Sequence, residues 1–223
     1  MNIPHQQENI SLLEKSMKEV ESMIYWYKIH TPLIIDNLWP KAIHTSIKRG
    51  QNYLLNHIGI KIPLVIIYAD LVGSTKMSMI LPTDNLVSLI IAFDHQISHV
   101  VDSQGGYVLK YAGDGVISFF PGRFDNQDRY LTSSTSVGCG KLMINAIKDE
   151  INSILHYVYQ YPELLVKIGI DAGENAIVQF GYEHRSPIDI LGYSMNIASK
   201  ITSITGLNKV SIGENVYKSL DSE

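Results

Sequence analysis

Two acidic turns hold the residues best suited to chemistry. One is Tyr68-Ala69-Asp70-Leu71-Val72-Gly73-Ser74-Thr75, and the other, further along, is Lys110-Tyr111-Ala112-Gly113-Asp114-Gly115. Asp70 follows the apolar run Pro63 to Tyr68, where a buried strand gives way to a Gly-Ser-Thr turn. Asp114 lies between two apolar runs, Tyr107 to Ala112 and Val116 to Phe120, that read as a hairpin. If the hairpin pairs beside the first strand, both carboxylates reach one edge of one sheet. Two hard oxygen ligands beside a turn rich in free main-chain N–H groups can share divalent cations and receive a phosphate chain. Each acid also has a conformational explanation, since Asp-Gly is a strong hairpin signal and an Asp after a strand often caps a helix. The rest of the chain must decide between the two.

Composition narrows the function classes. Of 223 residues, 45% are hydrophobic and 18% charged, which suits one good-sized domain with an extension, or at most two small ones. A net charge of -4 argues against a broad basic field for nucleic acid. The single cysteine, Cys139, rules out an intramolecular disulfide and any Cys-x-x-Cys site, and points to a reducing, cytoplasmic compartment. No apolar stretch approaches the ~20 residues of a membrane span, and the first residues lack the apolar segment of a signal peptide.

The elements that must position the acids can be read in order. Ile10, Leu13, Met17, Val20, Ile24 and Tyr27 form a short heptad seam, suited to a coiled coil or to an amphipathic helix docked on its own domain. A second helix follows Pro40, so residues 1–58 read as a helical extension and residues 59–223 as the main domain. Pro63 to Ala69 reads as a strand, and Leu86, Leu89, Ile90, Phe93, Ile97 and Val100 mark a helical face ending before Gly105-Gly106. After the hairpin, the polar segment Arg123 to Ser136 reads as a loop, and Met143 to Val158 as a helix. Leu165 to Ala172 and Ala176 to Gly181 read as two strands turned at Gly173. Ile188 to Leu191 is a short strand before a helix carrying Asn196 and Lys200; a strand at Lys209 to Ile212 and a helix at Glu214 to Leu220 close the chain. The core order β-α-β-β-α-β predicts a ferredoxin-like α/β (α+β) sandwich, a fold that implies no function by itself.

Three blocks, YADLVGST, GGYVLKYAGDGVISFF and DILGYSMNIASK, with KIGIDAGE as a looser fourth, resemble the class III nucleotidyl cyclase catalytic domain in order and spacing. The resemblance implies that Asp70 and Asp114, with the main-chain carbonyl of Leu71, hold two Mg²⁺ or Mn²⁺ ions. It implies that main-chain N–H groups of Val72, Gly73, Ser74 and Thr75 hold the terminal phosphates of a nucleoside triphosphate. Lys110 and Asp189 match the pair that reads adenine in adenylate cyclases, an ammonium donating to N1 and a carboxylate accepting from the amine. ATP is then the expected substrate and cyclic AMP the product. Asn196 matches the residue that positions the ribose, and Lys200 stands where the family has an Arg that stabilises the phosphates. A Lys lacks the planar two-pronged donor geometry. Charged hydrogen bonds are worth roughly 1.5–3 kcal/mol, so the exchange predicts activity reduced about ten- to a hundredfold or favouring Mn²⁺. The resemblance also implies a two-fold homodimer with each site shared between subunits.

Rival readings are a cyclase for another base, a nucleotide-binding or dimerising module without turnover, and a palm-type phosphodiester synthase, whose families lack the Asp189 to Lys200 block. His95 and His99 stand four apart, but Gln96 occupies the place of the metalloprotease Glu, and no third ligand is evident. Cys139 has no neighbouring base and reads as inert.

Overall fold

The computed structural model describes residues 39–122, 126–156, 163–181 and 186–221, so the heptad seam lies outside the described residues. The chain enters through helix α1 (Trp39–Leu55) and passes into strand β1 (Lys61–Val72). Helices α2 (Ser74–Ile80) and α3 (Thr83–Ser103) lead to the hairpin β2 (Tyr107–Ala112) and β3 (Gly115–Pro121). Helix α4 (Asn126–Asn145) continues through a π-helical stretch, Ala146–Ile151, to β4 (Leu165–Gln179) and β5 (Ile188–Leu191). Helix α5 (Tyr193–Ile204), β6 (Lys209–Ile212) and α6 (Glu214–Leu220) complete the order.

β1 is central because it is apolar on both faces. It pairs antiparallel with β3 on one side and with β4 along its whole length on the other, in the order β2-β3-β1-β4-β5 with β6 parallel to β4. Alternate residues of β1 point into two cores. Val65, Ile67, Ala69 and Leu71 pack with Phe93, Ile97, Val101, Met143 and Val216 from α3, α4 and α6. Leu64 and Ile66 pack with Leu54 of α1, Ala198 of α5, and Ile117, Phe119, Ile177 and Ile190 of the sheet. The sheet is therefore sandwiched between two helical layers, and each fully buried aliphatic or aromatic side chain contributes about 1.5–3 kcal/mol.

Two sequence expectations are corrected. The expected loop from Arg123 to Ser136 is helical from Asn126 onward, the start of α4. Before Met143 its inner face consists of small residues rather than large apolar ones. Ser133 and Ser136 are buried, Ser136 Oγ donates to Thr132 O at 2.7 Å, and a Cβ on Gly140 would stand 3.2 Å from Val210 Cγ2. The expected turn at Gly173 is absent, because β4 runs unbroken through it, pairing Gly173 with Leu64. Gly173 instead makes room for α5, since a Cβ there would lie 3.5 Å from Ser194 Cβ.

Candidate active site

Asp70 sits inside β1, opposite Gly115 of β3 and Lys167 of β4. Asp114 is at the tip of the β2–β3 hairpin, where Gly113 takes a positive φ of 68° that an L side chain would resist. Gly115 allows the close approach of the two acidic segments, because a Cβ there would meet Ala69 O at 3.1 Å and the Tyr68 ring. Leu71 N–H donates to Asp114 O at 3.2 Å, and Ser74 Oγ donates to Asp114 Oδ2. The hairpin tip is thus tied to the turn that follows β1.

The charges are poorly compensated. Burial pushes the Asp70 carboxyl above its ordinary range and the Asp114 charge adds to this, while Lys167 opposes both. The Tyr68 phenol is raised by burial and by the same two acids. A third acid had no sequence signal beyond its odd place on an apolar helix face. Asp94 of α3 is 5% exposed, its Oδ1 lacks a hydrogen-bond partner among the described residues, and burial, then Asp114, lift its carboxyl to about 7. One turn on, Ser98 Oγ donates to Asp94 O at 2.6 Å and meets the Tyr111 hydroxyl at 2.7 Å. Burial is also the main reason that the Tyr111 phenol rises to about 12.

Lys110 and Asp189 come from opposite margins of the sheet. Between β2 and β5 lie three strands, a separation of about 19 Å were the sheet flat. Yet Lys110 Nζ stands 2.5 Å from Asp189 Oδ2, so the sheet's coiling and the reach of the two side chains together close that gap. A β-bulge between Val108 and Lys110 shifts the register, placing Lys110 opposite Ile117 and turning it toward the α1 layer. Asp189 Oδ1 accepts from Ile190 N–H at 2.9 Å, which leaves Oδ2 for the lysine.

Asn196 and Lys200 lie on α5, four residues apart, and both are exposed. Neither side chain has a hydrogen-bond or ion-pair partner among the described residues. The helix itself is pinned by Thr202 Oγ1, which donates to Ala198 O at 2.7 Å and to Tyr68 O at 3.3 Å. At its start Ser194 Oγ donates to Asn175 Oδ1 at 2.8 Å. One chain therefore gathers the acid pair and, separately, the lysine–aspartate pair, and leaves the Asn196–Lys200 face open.

The model of the adenylate and guanylate cyclase catalytic domain matches residues 61–223. The chain belongs to this family. Among its relatives is the cytidylate cyclase of Escherichia coli, 24% identical over 70% of this chain but only 35% of that protein's length. The uridylate cyclase of Burkholderia cepacia is 24% identical over 82% of this chain and 77% of that protein. The adenylate cyclase of Anabaena cylindrica is 25% identical over 70% of this chain and 30% of that protein. The solved guanylyl cyclase Cya2 superposes with a TM-score of 0.65 at 24% identity, covering 73% of this chain and 80% of that one. The adenylyl cyclase CyaB from P. aeruginosa superposes at 0.61 and 23% identity, covering 73% of this chain and 82% of that one. These likenesses establish the cyclase fold, and the names among the relatives span four bases.

Other sequence candidates fall away from this region. Cys139 is buried and its thiol is pushed up to about 12 by burial, which keeps it in the unreactive protonated form. Among the described residues no three His, Cys, Asp or Glu side chains gather to hold a metal ion, His95 and His99 included. A cleft of about 460 Å³, lined by Pro63, Arg129, Thr132, Glu174 and Asn215, opens at the far end of β1 from Asp70. Among the described residues no helix is long and apolar enough to cross a membrane.

Proposed function

We propose that this cyclase-family chain converts ATP into 3′,5′-cyclic AMP and pyrophosphate, as a homodimer with shared sites. The observation that carries the choice of base is the Lys110–Asp189 contact. An ammonium has only donors and a carboxylate only acceptors. Side by side, they complement a ring nitrogen that accepts next to an exocyclic amine that donates. Adenine presents that edge; guanine and uracil present a ring N–H beside a carbonyl, which would set donor against donor and leave buried polar groups unpaired. An incoming base would insert into the pair and exchange the ion contact for two hydrogen bonds.

Cytosine presents the same acceptor–amine edge, and a cytidylate cyclase stands among the relatives. CTP is accordingly the second reading, supported by the same two side chains. ATP is favoured because Lys110 and Asp189 together match the pair that reads adenine in adenylate cyclases.

Asp70 and Asp114 suit two Mg²⁺ or Mn²⁺ ions, with the Leu71 carbonyl as a further oxygen. Their mutual repulsion, only partly opposed by Lys167, is what bound cations would relieve, and Mg²⁺ commonly uses one or two carboxylates plus substrate phosphates. Such ions, when bound, supply Lewis acidity to the attacking and leaving oxygens. The junction from Val72 at the end of β1, through Gly73, to Ser74 and Thr75 at the start of α2 would offer main-chain N–H groups to the terminal phosphates. Asn196 from the other subunit would orient the ribose, and Lys200 would meet charge developing on the phosphates. The ribose 3′-oxygen forms its bond to the α-phosphorus as the bond to the bridging oxygen breaks. Pyrophosphate leaves with that electron pair, and the 3′-hydroxyl proton passes to solvent.

The test is to incubate the purified protein with Mg²⁺ or Mn²⁺ and each of the four nucleoside triphosphates, and to identify the products by mass. Cyclic AMP, abolished by Asp70→Ala, is the expected product. Cyclic CMP alone would move the assignment to the second reading; cyclic GMP or cyclic UMP alone would overturn the base-reading role of Lys110 and Asp189.

A further inference from the structure

Strand β5 is only four residues long and, among the described residues, pairs with β4 on one side alone. Its free edge presents the N–H and C=O of Ile188. Both are taken by a single side chain, Gln51 of α1. Gln51 Nε2 donates to Ile188 O at 2.9 Å, and Ile188 N–H donates to Gln51 Oε1 at 2.9 Å. The amide thus stands in for a neighbouring strand at the residue next to Asp189. The following outward N–H, that of Ile190, goes to Asp189 Oδ1, which holds the carboxylate's rotation.

The same turn of α1 grips the opposite margin of the sheet. A Cβ on Gly50 would stand 2.2 Å from Val108 O, so the helix backbone lies directly against β2 at the bulge that aims Lys110. Arg49 donates to Gly106 O, pairs with Asp102 at 3.5 Å, and lies 4.5 Å over the Tyr107 ring. Ser46 Oγ donates to the same Asp102 at 2.9 Å. Three consecutive residues, Arg49, Gly50 and Gln51, therefore tie the strand that carries Lys110 to the strand that carries Asp189. The helix lies wholly outside the 61–223 range of the family match.

We infer that Gln51 is a positioning residue for base selection: its amide, spliced onto the free edge of β5, sets the spacing of Asp189 from Lys110 that admits an amino-bearing base. The inference rests on the base-reading role proposed above. Without the amide, Ile188 is released at its outer edge and Asp189 follows it, while the acid pair on β1 and the hairpin keeps its own supports. Selection should suffer, and turnover should not.

The test compares Gln51→Leu, Gln51→Glu and Asp189→Ala with the parent protein, all in the full chain. For Gln51→Leu the expected result is a loss of about tenfold or more in the ratio of kcat/KM between the best amino-base substrate, ATP or CTP, and GTP. The loss should arise from a raised KM, with kcat staying within about twofold. Amide hydrogen exchange at Ile188 and Ile190 should quicken in the same variant, a readout independent of turnover. Gln51→Glu, which keeps an acceptor for Ile188 N–H but sets a carboxylate against Ile188 O, should lose selectivity to a smaller degree. If Gln51→Leu does not fold, Gln51→Glu decides alone, and an unchanged ratio in it refutes the inference. A fall in kcat with the ratio intact would show a merely structural role and also refute it. If Asp189→Ala leaves the ratio unchanged, the base-reading role itself is wrong. If Asp189→Ala abolishes selection and Gln51→Leu does not, only the role of Gln51 is wrong.

Discussion

Asp94→Asn should stabilise the protein at neutral and alkaline pH by an amount that can be worked from its surroundings. The carboxyl is lifted from an ordinary 3.8 to about 7, chiefly by burial and secondarily by Asp114. In the unfolded chain it gives up its proton near 3.8, whereas in the folded chain it keeps the proton until about 7. Between those values unfolding releases a proton, so rising pH favours the unfolded state. The stability associated with this group is complete below the lower value and is lost as pH climbs through the upper one. Each pH unit is worth about 1.4 kcal/mol, so the whole interval amounts to about 4 kcal/mol, a large share of a domain's total. Asparagine is nearly isosteric with the protonated acid and carries no such dependence. From about pH 5.5 to about pH 8, the parent should lose about 2 kcal/mol relative to Asp94→Asn. Urea unfolding of both proteins across that range, with a chelator present so that no divalent ion offsets Asp114, reads the difference directly. Asp114→Asn should shrink the difference without removing it, because burial is the larger cause. A difference that stays flat with pH would refute the reasoning, since it would mean that Asp94 titrates alike in both states.

The shared-site arrangement predicts that Asp70→Ala and Asn196→Ala, each inactive, recover activity on mixing, because one site of each heterodimer keeps both residues. No recovery after subunit exchange has been demonstrated would contradict it. Lys200→Arg should raise kcat about tenfold if a two-pronged donor serves the phosphates better; a variant no faster than the parent counts against that role. Gly50→Ala should destabilise the chain by about 1–3 kcal/mol, because its Cβ would collide with backbone rather than a yielding side chain. Thermal unfolding measures this, and an unchanged midpoint would mean that α1 does not lie against Val108 as described.

Much of the site could be read along the chain because its parts are local. The Gly113-Asp114-Gly115 turn, the strand that carries Asp70, though it runs on to Val72, and the spacing of Asn196 and Lys200 on one helix all lie within windows of a few residues. Turn chemistry and periodicity act over such lengths. The errors have equally local causes. The first part of α4 was hidden because Ser133, Ser136 and Gly140 bury themselves by being small, which leaves no apolar period to detect there. The length of β4 was hidden because Gly173 looks the same whether it turns a chain or makes way for Ser194. Asp94 lay unread on an apolar helix face, since what makes it unusual is burial in the packed core and, second, the charge of Asp114 held on another element.

By itself the sequence determined the family, the mixed α/β architecture, and the short segments in which each candidate residue sits. Only the tertiary structure decided which of those residues meet. Lys110 and Asp189 are brought within 2.5 Å by the coiling of the sheet, a bulge in β2, and a helix that grips both margins. Each of these depends on contacts between residues far apart in the chain. Such contacts form only when the whole core is packed, and no pattern within a single segment can carry them.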